Sequence, residues 1–256
     1  MIDVLRIPLS NDRLRAIPKE ERALLFLLGY AANQITLFSK LVQFSSNGTP
    51  SDPVEQQLSD AQSLILGRVA IGVLAEAWEL IYKRFLGTPR GKEFEPAKLN
   101  PIGREALETL KKHFSGSNIL SKLRNNVTLH HPYDSHMDAG FEAAAAETSW
   151  DSDWNSYFSS ALYNSWYFAS NIVMLHAMLN TIGETDPVNA HQRIMSALKQ
   201  VTEPMIYLIF AINEAILIKN LGPTMAAEAA EVVTKITNAL GLFDVGVPFY
   251  VEMTGD

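Results

Sequence analysis

The chain has 256 residues, 47% of them apolar and 19% charged, and a formal net charge of −7. That composition supports a sizeable core and excludes wholesale disorder, and an acidic surface repels nucleic acid except at a local basic patch. Cysteine is absent, which excludes disulfides, thiolate metal sites and thiol nucleophiles, and 14 glycines with 12 prolines are too few turn signals for an all-β sandwich or barrel.

The opening 22 residues mix polar and apolar side chains without an early apolar run, so a secretory signal is not expected. Residues 1–17 read as irregular and partly extended. Pro18 suits a helix first turn, and Leu24, Leu27, Leu28, Ala31, Ile35, Phe38 and Val42 set the apolar face of a helix from about Lys19 to Ser45. SSNGTPSDP ends it by turn chemistry. Asp52 is an N-cap with Pro53 and Glu55 behind it, opening a helix to about Leu86. Its face is Leu58, Ala61, Ile65, Val69, Gly72, Val73, Ala77, Leu80 and Ile81. The stretch LGTPRGKEFEP is a loop. Two shorter helices follow, about Pro101–Phe114 and Asn118–Leu129, parted by Ser115-Gly116-Ser117 and stopped by Pro132.

Residues 131–149 read as a loop with some helix around Glu142–Glu147. A long helix is expected over Asp151–Thr181, rich in Trp154, Tyr157, Phe158, Tyr163, Trp166, Tyr167 and Phe168. This stripe is core or, failing that, a dimer face. Pro187 opens a helix to Asn220 with a kink or break at Pro204. A last helix is expected over about Thr224–Leu240, and an extended tail over Val245–Met253. The apolar runs Ala23–Ala32 and Met205–Ile218 fall short of the ~20 residues of a membrane span, and the second carries Asn213 and Glu214. Both read as buried helix faces. The expectation is one all-α domain over 1–256, a bundle of long antiparallel helices. Its core is about 19–220, with a C-terminal helix and tail over 221–256. The protein is expected to be soluble and cytoplasmic, with no membrane association.

The densest candidate chemistry lies in Arg124-Asn125-Asn126-Val127-Thr128-Leu129-His130, followed by His131. On a continuing helix Arg124 and His131 share a face, and His130 points about 120° away. A bent end at Pro132 lets His130 swing back, so the spacing leaves both histidines open as partners of Arg124. Histidine moves a proton near neutrality. Arginine grips phosphate through a two-pronged fork and steadies developing negative charge. RNA brings its own nucleophile, the 2′-hydroxyl, so such a pair can cleave it without metal. The structural alternative pairs Arg124 with a carboxylate and places the histidines at a helix C-terminus.

The segment Leu123–His130 resembles the signature of the HEPN superfamily (higher eukaryote and prokaryote nucleotide-binding domains): arginine, a polar residue, then histidine four to six positions on. Leu74-Ala75-Glu76-Ala77-Trp78-Glu79 is similar to a stretch of uncharacterised bacterial members. The resemblance extends over roughly residues 19–220, with only the short motif specific. It implies a bundle of long helices and a metal-independent endoribonuclease of toxin–antitoxin or defence type that needs no cofactor. It also implies a homodimer with a composite cleft, and RNA and an antitoxin or partner protein as binding partners. Carried over, Arg124 is the phosphate-stabilising residue, Asn125 its polar support, and His130 the general base or acid, with His131 beside it.

Four further features bear on function. Residues 83–124 hold ten Lys/Arg against four Glu, a local +6, with Lys111, Lys112 and Lys122 as candidate RNA-binding residues and ordinary charge fluctuation as the alternative. His130, His131, Asp134, His136 and Asp138 form a ligand-dense loop matching no familiar metal spacing; a polar surface loop is the simpler reading. Glu76 is a carboxylate on an apolar helix, expected to meet Arg124 or another cation in the core and, if it faces Arg124, to orient its guanidinium. His176 and His191 are isolated and read as hydrogen-bonded helix residues. Walker, G-x-G-x-x-G and nucleophile-elbow motifs are absent. The competing function classes are a non-catalytic nucleotide- or protein-binding module and a metal-binding helical protein using 130–138.

Overall fold

The computed structural model describes residues 2–6, 9–47, 52–89, 98–127, 132–147, 154–158, 165–223, 231–236, 239–241 and 243–248. These residues fold as an all-α protein with one small strand pairing. In chain order the elements are β1 (Ile2–Arg6), α1 (Asn11–Ala16), α2 (Lys19–Ser46), α3 (Pro53–Ile81), α4 (Pro101–Phe114), α5 (Ile119–Val127), α6 (Asp134–Ala145), α7 (Phe168–Ile182), α8 (Pro187–Leu221) and β2 (Glu231–Ile236). A π-helical turn, Tyr82–Leu86, carries α3 on to the expected Leu86. The chain groups into two compact units. The first comprises residues 1–36, 76–115 and 201–241, and the second comprises 37–75, 116–200 and 242–256.

Helix starts follow the capping residues. Asp52 Oδ1 accepts from the amides of Val54 at 2.9 Å and Glu55 at 3.1 Å. Asn100 Oδ1 accepts from Gly103 N at 2.7 Å, and Asp186 Oδ1 accepts from Val188 N at 2.8 Å. Each satisfies an amide that the first helical turn leaves without an intrahelical partner.

The first unit's core is built from Leu24, Leu25, Leu28 and Ile35 of α2, Ala77, Ile81 and Phe85, then Ala106, Leu107 and Leu110 of α4 and Val201, Met205, Leu208 and Ile212 of α8. Leu27, expected inside, is exposed, and Leu25 is buried instead. A run of Leu24-Leu25-Phe26-Leu27-Leu28 is apolar all round, so periodicity cannot choose the face and packing does. A buried carboxylate ties α2 to α8. Glu21, 4% exposed, accepts from Lys219 Nζ at 2.8 Å and Asn220 Nδ2 at 2.7 Å. Lys219→Met is expected to lower unfolding stability by about 1–3 kcal/mol, since a charge-assisted bond to a buried carboxylate is lost. Urea denaturation measures it, and an unchanged midpoint would count against this role.

In the second unit Leu58, Ala61, Ile71 and Leu74 of α3 are buried, as are Leu120, Leu123 and Val127 of α5 and Phe168, Ile172 and Leu179 of α7. Gly140 on α6 permits a close approach. A Cβ there would lie 2.5 Å from the Val173 carbonyl oxygen and 3.0 Å from Ala177 N, both backbone atoms of α7.

Four sequence expectations are corrected. Residues 134–145 are helix rather than mostly loop: Asp134 suits a helix N-terminus, and Ala139, Ala143, Ala144 and Ala145 favour the helical state. The long aromatic helix does not form at residues 154–158 and 165–167, while Tyr163 lies outside the described residues. Tyr157 and Trp166 exchange backbone hydrogen bonds of 2.8 and 2.6 Å as an antiparallel bridge, and α7 starts only at Phe168. Aromatic residues pack well on extended backbone, and Asn155, Ser156 and Ser165 are poor helix formers. Pro204 lies inside α8 and does not break it, so of the expected kink or break the break is excluded. The expected helix over 224–240 contains strand β2 instead, paired antiparallel with β1 from Ile2 opposite Ile236 to Arg6 opposite Glu231, with an irregularity between Val4 and Leu5. Val232, Val233, Thr234 and Ile236 are β-branched, which favours that outcome.

Among the described residues two helices, Lys19–Ser46 and Pro187–Leu221, are long and apolar enough to cross a membrane. Their apolar stretches therefore extend beyond the runs 23–32 and 205–218. Within the most apolar windows 28% and 44% of the residues are buried in the protein, so neither helix is wholly internal. Phe26, Tyr30 and Leu37 lie exposed on α2 and Phe210 on α8.

Candidate functional site

The motif arginine is carried by α5. Leu120, Leu123 and Val127 recur at spacings of three and four and are fully buried, anchoring one face of this short helix. Arg124 follows Leu120 by one turn and precedes Val127 by one turn, which places it at the border of that buried face, and it is half-buried. Its Nη1 donates to Asn125 Oδ1 at 2.9 Å. Asn125 and Lys122 are exposed. Asn126 is turned back onto its own helix, its Nδ2 donating to the Lys122 carbonyl at 2.8 Å. Asn118 Oδ1 caps the start of α5, accepting from Ser121 N at 2.8 Å.

A residue that the motif does not contain holds the other end of α5. Arg68 of α3 donates from Nε to the Val127 carbonyl at 2.8 Å. Desolvation by burial pulls this guanidinium below its ordinary value, and an arginine stays protonated through that. The readable signal is one charge inside the apolar run Leu64-Ile65-Leu66-Gly67-Arg68-Val69-Ala70-Ile71.

His130 and His131, with Thr128 and Leu129, lie outside the described residues. Glu76 is exposed on α3 in the first unit, which corrects its expected place in the core. Its neighbour Glu79 pairs with Lys83 at 2.6 Å. Lys111 and Lys112 sit on the last turn of α4, where the helix dipole favours cations. Lys111 Nζ lies 3.5 Å from Glu108, and Lys112 is exposed. Arg104 turns onto its own helix start, donating to the Leu99 carbonyl at 3.2 Å. Along the chain Arg124 is the last Lys or Arg before Arg193, and eight Asp/Glu intervene. The basic stretch thus ends at the motif arginine.

The ligand-dense loop is partly a helix. Asp134 and Asp138 share a face of α6, one turn apart, and His136 between them points roughly 200° away. Among the described residues no group of three His, Asp or Glu is placed to hold a metal ion. His176 is buried in α7 with Nδ1 3.8 Å from the Glu147 carboxylate, and His191 is exposed. The aromatic stripe divides. Tyr157, Trp166 and Phe168 pack on Ala61, Ala144 and Ile172, while Phe158 and Tyr167, 71% and 65% exposed, pack edge-to-face against each other in solvent.

His113 follows the α4 lysines. Its ring meets Phe114 edge-on at 5.0 Å, and Phe114 stacks on Trp78 at 4.9 Å. The buried Nε2 has no hydrogen-bond partner among the described residues, and desolvation lowers the pKa below 6.5. Between that lowered value and 6.5 the unfolded chain binds a proton that the folded chain does not. Stability therefore rises with pH through this window and is complete above about 6.5. His113→Leu is expected to flatten the dependence; urea midpoints taken on either side of the window test it, and an unaltered slope would sink the assignment.

No family model matches the chain, and neither a curated protein nor a solved structure matches it.

Proposed function

We propose that the protein is HEPN-like and acts as a metal-independent endoribonuclease in a toxin or defence setting, working in the cytoplasm as a homodimer whose two motifs form one cleft. The observation that carries this reading is Arg124 at the border of the buried face of α5, its guanidinium held by the adjacent Asn125. In this reading a histidine, His130 by the motif, takes the proton of the ribose 2′-hydroxyl. The 2′-oxygen attacks phosphorus, the bond from phosphorus to the 5′-oxygen breaks with its electron pair going to that oxygen, and the oxygen takes a proton from solvent water. Arg124 steadies the charge gathering on the equatorial phosphoryl oxygens. The products are a 2′,3′-cyclic phosphate and a 5′-hydroxyl. Lys122, exposed on α5 near Arg124, supplies charge for the phosphate backbone, and Lys111 and Lys112 are the further RNA-binding candidates.

The test is total RNA incubated with purified protein in EDTA, beside His130→Ala. Cleavage by the wild type alone supports the proposal. Intact RNA with both proteins favours the binding-module reading, in which Lys111→Glu with Lys112→Glu weakens capture of nucleotide or partner and there is no turnover to lose.

A further inference from the structure

Resting on the ribonuclease reading, we infer that Arg68 is a positioning residue for Arg124, acting through the last turn of α5. The observation is the 2.8 Å bond from Arg68 Nε to the Val127 carbonyl, which joins two residues 59 positions apart within the second unit. Val127 is the last described residue of α5, and Arg124 stands one turn before it on the same side. The closing carbonyls of a helix lack intrahelical acceptor bonds, and the last turn frays unless something holds it. The described part of α5 runs over nine residues, too few to be rigid by helix propensity alone. Its N-terminal end is held by Asn118, and Leu120, Leu123 and Val127 bury one face. Arg68 holds the C-terminal carbonyl, so the turn that carries Arg124 is fixed from the side of α3.

An unbranched apolar side chain of similar length would also pack against this helix but would donate no hydrogen bond to it. A directed donor, by contrast, fixes the height and rotation of the last turn. A guanidinium displaced by even ~1 Å stabilises a transition state far less well. The positive charge of Arg68 also opposes the negative end of the α5 dipole next to the motif.

The experiment compares Arg68→Met, which keeps the stem and removes the donor, with Arg68→Lys, which restores a donor and the charge. Expected for Arg68→Met is a fall in kcat of roughly 10–100-fold with KM nearly unchanged, because placement in the transition state is what is lost. Arg68→Lys recovers most of the rate. Amide hydrogen exchange in the last turn of α5 is faster in Arg68→Met and unchanged along α6. If Arg68→Met does not fold, Arg68→Leu, which likewise lacks a donor, carries the same comparison. An active wild type with an equally active Arg68→Met overturns the role of Arg68 and leaves the ribonuclease reading standing. A wild type that leaves RNA intact overturns the ribonuclease reading itself.

Discussion

Arg124→Ala is expected to lower RNA cleavage in EDTA by on the order of 10³-fold while the protein stays folded. The size follows from what a guanidinium does as phosphorus becomes five-coordinate. Charge grows on the phosphoryl oxygens, and a planar fork donates two hydrogen bonds to it without reorganising. No metal has a part in this reading, so Arg124 carries that burden. Arg124→Lys keeps the charge and loses the fork, so it should fall between the two. Asn125 Oδ1 accepts from Arg124 Nη1, and Asn125→Ala should therefore cost less, roughly 3–10-fold, through lost orientation rather than lost charge. The order wild type, Asn125→Ala, Arg124→Lys, Arg124→Ala is the signature, read with far-UV circular dichroism and a melting curve as controls. Equal rates in wild type and Arg124→Ala would remove Arg124 from the chemistry.

Gly103→Ala is expected to destabilise the first unit by about 2 kcal/mol or more, against the direction of helix propensity. An added Cβ would lie 2.2 Å from the Ala211 Cβ, far inside contact distance, and 3.2 Å from the Asn100 Oδ1 that caps α4. Ala211 Cβ is bonded directly to the α8 backbone and has no rotamer to escape into. α4 must therefore shift from α8, loosening the contacts of Leu107, Leu110, Leu208 and Ile212, all buried. Ala211→Gly removes the atom that is struck, at a propensity cost of about 1 kcal/mol. The double variant should be more stable than the two single effects predict, by about 1–2 kcal/mol of coupling. Additive effects, measured by denaturant unfolding, would contradict the close approach. Gly140→Ala should behave similarly on α6, where the obstacle is backbone of α7.

The parts of the fold legible in the sequence are those specified over short range. Asp52, Asn100 and Asp186 each stand one residue before a proline, and α3, α4 and α8 begin at Pro53, Pro101 and Pro187. Cap and proline act within one turn, so their reading needs no knowledge of the rest of the chain. The lengths of α2, α3 and α4 follow from apolar periodicity together with the loop chemistry between them. The same local logic located Arg124 beside a polar residue on a helix, and their hydrogen bond is what that adjacency permits.

Long-range partners decided the rest. Residues 231–236 have enough β-branching to extend, and the strand that pairs with them lies at residues 2–6, at the other end of the chain. Residues 154–158 and 165–167 belong to a stretch with helical-looking apolar spacing, yet the bridge between Tyr157 and Trp166 and packing on Ala61 and Ala144 favour extended backbone at those two positions. The face of α2 that turns inward, the exposure of Glu76 and the contact of Gly103 with Ala211 are set by which helices meet. Arg68 shows the division most clearly. The sequence by itself displays a charge in an apolar helix, and only tertiary packing carries it to the carbonyl of Val127. Helix starts and amphipathic spacing are determined within a few residues, whereas which face is buried and which donor finds which acceptor depend on contacts between residues far apart in the chain.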